Sequence, residues 1–248
     1  MDLLAALIFF TRLPLWKWKA VPAECFKHVV PYWPLVGWLT GGTLSAVVYV
    51  AAQIFPLPVA WLLALTVRLL LTGCLHEDGL ADFLDGFGGG TTRERTLAIM
   101  KDSHIGTYGV IGLVVYFLLL WQVGSYLPLS VLAPLSVCAD CWSKAASAQL
   151  VNFLPYARTE SESKAKVVYS RMRPTEGGLV LLGGGLPVLL LLPSSCWIAL
   201  LAPWGIVAIL IRLMKRRIGG YTGDCCGATF LLSELSFYLV CGGLLLCF

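Results

Sequence analysis

Charge is what this sequence has least of. Acidic and basic residues together make up 13% of its 248 positions, about half the share carried by soluble domains. Histidine is scarcer still, with three residues. A soluble fold of this length needs far more polar surface, so lipid must cover much of the outside. A disulfide framework is also lacking. The nine cysteines are odd in number and scattered through apolar segments, Cys74, Cys138, Cys196, Cys241 and Cys247 among them, where a thiol serves as a small apolar side chain. Cys138-Ala-Asp-Cys141 has the spacing of a redox or metal pair, yet it lies inside an apolar span without a second pair. No basic block interleaved with aromatics is present, which argues against nucleic acid as a partner. The first ten residues lack a basic start and run into Arg12, so they read as an interfacial helix and not as a signal peptide.

What is present is apolar sequence, 58% of residues, with a mean hydropathy of +0.81. Seven segments have the length and character of membrane spans, at 34–54, 57–75, 107–125, 129–153, 178–193, 195–213 and 229–247. The expected fold is therefore all-α, a polytopic helix bundle in the lipid bilayer, with residues 1–248 as one membrane domain. Orientation follows from the basic residues. Arg12, Lys17, Lys19 and Lys27 precede the first span, and Arg93, Arg95 and Lys101 follow the second. Arg158, Lys164, Lys166, Arg171 and Arg173 follow the fourth, and Lys215, Arg216 and Arg217 the sixth, whereas the other connections have none. This one-sidedness predicts a cytoplasmic N-terminus in a cell inner membrane, with every long loop on the cytoplasmic side.

Three stretches in those loops carry chemistry. In His76-Glu-Asp-Gly-Leu-Ala-Asp-Phe-Leu-Asp-Gly86, Asp78, Asp82 and Asp85 fall at i, i+4 and i+7, one face of a helix continuing from the second span. Like charges that close need a cation between them, and hard oxygen donors suit Mg²⁺ or Mn²⁺. In the second stretch, Met100 to Gly109, Asp102 reads as a further metal ligand, and Lys101 and Ser103 suit phosphate oxygens, although Asp-Ser before a helix also suits an N-cap. His104 reads as a polar loop residue. The third stretch, Arg217-Ile-Gly-Gly-Tyr-Thr-Gly-Asp-Cys-Cys-Gly227, is no Walker A loop. Its glycines beside Thr222, Gly223, Arg216 and Arg217 suit an anion-binding nest, with Asp224 as another carboxylate. Charges inside spans, Arg68, Asp140, Lys144 and Glu234, read as cavity lining or as structural ion pairs. Gly37-x-x-x-Gly41 reads as a helix-packing signal.

The acidic stretch is similar in part to the Asp-Gly-x-x-Ala-Arg pattern of the CDP-alcohol phosphotransferases, but Asp82 stands where that pattern has arginine. Taken in order, Phe10-Thr-Arg-Leu-Pro14, Gly73 to Gly86, Ile99 to Gly109 and Gly219 to Ala228 with Glu234 resemble the cobalamin synthase family, the adenosylcobinamide-GDP ribazoletransferases. The resemblance covers essentially the whole chain. It implies Mg²⁺-dependent joining of adenosylcobinamide-GDP to α-ribazole or its 5′-phosphate, with release of GMP. On that reading Asp78, Asp82, Asp85, Asp102 and Asp224 would hold metal, and Asp82, Asp85, Asp102 and Asp224 would serve catalysis. Asp85 would accept the hydroxyl proton, with Glu77 and His76 in reserve. Arg12, His76, Lys101, Ser103, Thr222, Gly223, Arg216 and Arg217 would contact substrate. A homo-oligomer or a complex with other enzymes of the pathway is compatible with the sequence. A phospholipid-forming CDP-alcohol phosphotransferase and a cation transporter using the intramembrane charges are the competing readings.

Overall fold

The computed structural model describes residues 1–158 and 168–246; Lys164, Lys166 and Cys247 lie outside them. The described chain is all-α, and its one β-type pairing is an isolated bridge between Tyr156 and Tyr221. A short apolar helix α1 (Asp2–Phe10) and 3₁₀ turns lead into α2 (Trp33–Ala51) and α3 (Leu57–Thr72). Then follow α4 (Leu75–Gly89), α5 (Arg93–Lys101), α6 (Thr107–Tyr126), α7 (Leu129–Ser147) and the short α8 (Leu150–Phe153). The chain closes with α9 (Pro174–Leu191), a 3₁₀ run into α10 (Leu201–Arg217), and α11 (Gly223–Leu246). The expected last span begins six residues early, so Asp224 sits in a helical turn and not in a loop.

Five of these helices are long and apolar enough to cross a membrane, and α3 with α4 qualifies only as a bent pair. Their outer surfaces are apolar as well. Leu70, Leu182, Leu190, Leu201 and Ile209 are between 64% and 72% exposed, a pattern that lipid accommodates and water does not. The protein is a multi-pass membrane protein. The sequence suggested seven spans, and the helix that falls short is α7. It packs on α2, α9, α10 and α11, and it buries Ser136, Asp140, Ser143, Lys144 and Ser147. A helix surrounded by protein need not be apolar on every face.

Small residues and satisfied polar groups hold the bundle together. A Cβ on Gly37 or Gly41 would stand 2.9 Å from Asp140, so α2 lies directly against α7, which is the packing role expected of that motif. In α9, Pro187 removes the helical donor for the Gly183 carbonyl, and the Trp38 indole N–H donates to that oxygen at 2.9 Å. The intramembrane charges are ion pairs. Arg68 meets Glu234 at 2.5 Å, and Tyr116 donates to the second Glu234 oxygen at 3.2 Å. Lys144 pairs with Asp140 and donates to Thr40 at 2.8 Å, while Thr40 donates to Asp140 at 2.9 Å. Lys144 also stands 4.4 Å over the Phe230 ring. All eight described cysteines carry free thiols, Cys138 and Cys141 included.

Breaking a buried pair strands a charge. Arg68→Met is expected to destabilise the folded protein by about 3–5 kcal/mol, whereas Arg68→Met with Glu234→Met recovers most of the loss. Thermal midpoints in detergent check this, and a double variant as unstable as the single would contradict the pairing.

Candidate active site

The acidic stretch does not continue the second span. The chain turns by 89° between α3 and α4, because Gly73 and Cys74 take positive φ, 65° and 58°. Cys74 is the only described non-glycine residue there, a conformation that β-carbons disfavour. The break is capped from a distance: the Arg12 backbone N–H donates to the Leu71 carbonyl at 2.7 Å. The Arg12 side chain lies over Gly73, where a Cβ would come within 2.5 Å of its Nε. At the far end of α4, Arg217 donates to the carbonyls of Phe87, at 3.2 Å, and Gly90. Both ends of α4 are thereby fixed.

Glycine also brings α4 against α11. A Cβ on Gly79 would stand 3.0 Å from the Asp224 carbonyl, and one on Gly227 would stand 3.1 Å from that of His76. The segment before α11 is pinned by Tyr221 N–H donating to the Pro155 carbonyl at 2.9 Å and Ala157 N–H to the Tyr221 carbonyl at 2.8 Å. Thr222 starts the helix, its hydroxyl accepting the Cys225 N–H at 3.4 Å. The N-terminal turns of α4 and α11 therefore open together onto one cavity of about 300 Å³, lined at its polar end by Asp78, Asp224 and Arg158. Arg158 lies 4.0 Å from Asp224 and donates to the Leu97 carbonyl at 2.8 Å. Two helix starts and a guanidinium attract anions, while the two carboxylates attract a cation.

The sequence-predicted residues fall on this cavity, on a second one or on neither. His76, Asp78, Gly223 and Asp224 line the first, and Thr222 is buried beneath it as the cap. Asp82 lies one helical turn beyond Asp78 and is 8% exposed. Asp85 is not grouped with Asp78. Its two oxygens accept the N–H groups of Gly106, at 2.7 Å, and Gly109, at 2.9 Å, and these residues are glycine because a Cβ on either would fall 2.5 Å from that carboxylate. Asp85 thus ties α4 to the start of α6. Asp102 does not join Asp78 and Asp224; it lies at the end of α5 and lines, with Asp85, Arg95 and His104, a second, open cavity. The His104 ring and backbone N–H bind one Asp102 oxygen at 2.7 and 3.0 Å, and these bonds hold its carboxyl below the usual range. Lys101, Ser103 and Arg216 are exposed, away from the first cavity, and Arg217 is committed to the end of α4. Of the glycine-rich stretch, the N–H groups of Gly219 and Tyr221 bind the Met214 and Pro155 carbonyls, while Gly223 opens α11 on the first cavity.

Among the described residues, no three His, Cys, Asp or Glu side chains meet as a ready metal cage. Two hard-oxygen donors on one cavity instead suit a cation that completes its shell with ligand phosphates and water, as Mg²⁺ does. Arg158, Tyr156, Tyr169 and the rings of Phe9, Phe10 and Trp33 also line the cavity, and sequence reasoning missed them. Arg158 arrives through backbone pairing of 155–157 with Tyr221, which leaves no side-chain pattern to read.

Fold and site define a polytopic α-helical membrane protein with an acidic, anion-attracting cavity between two helix starts. The family model described as cobalamin-5-phosphate synthase matches residues 2–242. A Shewanella baltica protein named adenosylcobinamide-GDP ribazoletransferase is 40% identical over 242 residues, covering 96% of this chain and 92% of its own. Proteins of the same name from Shewanella oneidensis and Shewanella frigidimarina are 38% identical over 248 residues and 36% over 240; the alignments cover 97% and 95% of this chain and 94% and 91% of theirs. No solved structure matches the chain. The chain belongs to the cobalamin-5-phosphate synthase family.

The Asp85 geometry generates a stability prediction. In Asp85→Asn an amide NH₂ faces a backbone N–H, so the variant is expected to lose about 1–3 kcal/mol of folding stability. Denaturation in detergent checks this; an unchanged midpoint would contradict the anchoring role.

Proposed function

We propose that this protein is an adenosylcobinamide-GDP ribazoletransferase, joining adenosylcobinamide-GDP to α-ribazole or its 5′-phosphate with release of GMP. Family membership over nearly the whole chain supports the reaction class. The observation that carries the site assignment is the single cavity shared by the starts of α4 and α11, with Asp78, Asp224 and Arg158 at its rim. Helix amino-termini and a guanidinium fit the oxygens of a diphosphate. A corrinoid is far larger than 300 Å³, so it lies outside, against the bilayer surface, while the diphosphate and one further group enter. The basic loops support a cytoplasmic placement of this end, in the inner membrane.

In the reaction, the ribazole 3′-hydroxyl attacks the phosphorus attached to the corrinoid side chain, and GMP departs with the bridging oxygen. Such transfers depend on positioning and charge more than on covalent catalysis. Asp78 and Asp224, with Asp82 one turn further along α4, would hold Mg²⁺, which when bound neutralises charge on the diphosphate and the departing phosphate. Arg158 orients Asp224 and adds positive charge beside the leaving group. The hydroxyl proton passes to a carboxylate of this group and not to Asp85, which lines the other cavity and holds the Gly106 and Gly109 N–H groups. The paired state of Asp140, Lys144, Arg68 and Glu234 weighs against the transporter reading, because no intramembrane charge of these four lacks a counter-ion.

The test is GMP release by purified protein in nanodiscs from adenosylcobinamide-GDP and α-ribazole. Activity is expected to vanish with EDTA and return with Mg²⁺. Asp78→Asn and Asp224→Asn should each lose at least about tenfold, and Asp102→Asn much less. Wild-type rates in both cavity variants, or turnover of CDP-diacylglycerol in place of the corrinoid, would sink the assignment.

A further inference from the structure

The far wall of the cavity is aromatic, and the diphosphate does not account for it. Phe10 lies parallel to Trp33, centroids 5.2 Å apart and planes 10° apart, and His76 packs against both, 5.9 Å from Trp33 and 6.2 Å from Phe10. Phe9, Tyr156 and Tyr169 complete the lining. Two atoms of this wall are anomalous. Trp33 Nε1 and His76 Nε2 are buried and have no hydrogen-bond partner among the described residues. Buried polar atoms are rarely left so, because burial removes the bonds that water would supply. Two of them on neighbouring rings of one cavity point to a ligand that completes them.

We propose that this wall seats the benzimidazole base of α-ribazole among the Phe10, Trp33 and His76 rings, its free ring nitrogen meeting the edge of Trp33 and accepting the Trp33 N–H. The proposal rests on the ribazoletransferase reading and extends it to the acceptor's position. Counting polar groups decides between the two bases that the reaction brings. Guanine carries ring N–H, amino, carbonyl and ring-nitrogen groups, each of which needs a partner on leaving water. N-linked benzimidazole carries one acceptor on an otherwise apolar ring system, which matches an aromatic slot with one spare donor. His76 Nε2 is then left for a ribose hydroxyl. The order along the wall follows the chain. Base at Trp33, ribose at His76 and the attacking oxygen near Asp78, two residues on, bring the acceptor to the diphosphate.

The experiment compares α-ribazole with its indole analogue, in which CH replaces the free ring nitrogen, on wild-type protein in nanodiscs. The KM for the analogue is expected to exceed that for α-ribazole by at least about tenfold, with the KM for adenosylcobinamide-GDP unchanged. Trp33→Phe keeps a ring but loses the N–H, and it should raise the KM for α-ribazole and abolish the discrimination. Equal KM values for the two nucleosides on wild-type protein would overturn the proposal, whatever the folding of the variant. Discrimination that persists in folded Trp33→Phe would overturn it as well. Absence of GMP from wild-type protein with the natural pair would instead count against the proposed function.

Discussion

The contact on which the site depends is the approach of α4 to α11 without intervening side chains. Gly79 lies against the backbone of Asp224, and Gly227 against that of His76. Only there can the first turns of two helices open onto the same small volume. Their partial positive charges then add, and their first-turn acids face the same space. Neither helix could reach this position if the chain ran straight from α3, so the left-handed pair Gly73–Cys74 is the second half of the same constraint. The strain at Cys74 is held by Arg12 docking over the turn and by Arg217 closing the other end of α4.

The buried charges belong to the scaffold. In a bilayer an unpaired ion is costly, and each of the four charges in the spans has a partner and a neutral hydroxyl besides: Tyr116 for Arg68 and Glu234, Thr40 for Lys144 and Asp140. They tie α3, α6 and α11 together and α2 to α7, the helices that carry or flank the cavity. Asp85 belongs to the same category although it lies in the acidic stretch. Its carboxylate organises the start of α6 through backbone donors, and the glycines that let those donors approach are part of the same device.

Much of this was legible in the sequence, and the reasons for the rest are physical. Apolar runs set the fold class, and the Gly37/Gly41 spacing marked the packing of α2 on α7. Asp78 and Asp224 were readable as cavity acids because acids among apolar residues at a helix end need a partner. The division of the acidic stripe was not readable. Spacing at i, i+4 and i+7 gives one helical face, but what each position meets depends on tertiary contacts, α11 near Asp78 and α6 at Asp85. Asp102 next to Ser103 read equally as a ligand and as a helix cap, and its hydrogen bonds to His104 at the end of α5 were in neither pattern. Arg158 and the aromatic wall come from segments distant in sequence, joined by backbone pairing that no residue pattern announces.

The central claim is that catalysis requires α4 and α11 to touch at glycine, so that Asp78 and Asp224 serve one diphosphate. The most direct measurement is the rate of GMP release, at saturating Mg²⁺, by folded Gly79→Ala protein. The added methyl meets the Asp224 backbone at 3.0 Å and must push the two helix starts apart by a few tenths of an ångström. Displacements short of an ångström suffice to misalign such a site, so a loss of at least about tenfold is expected in protein that remains folded. A folded variant releasing GMP at the wild-type rate would contradict the account.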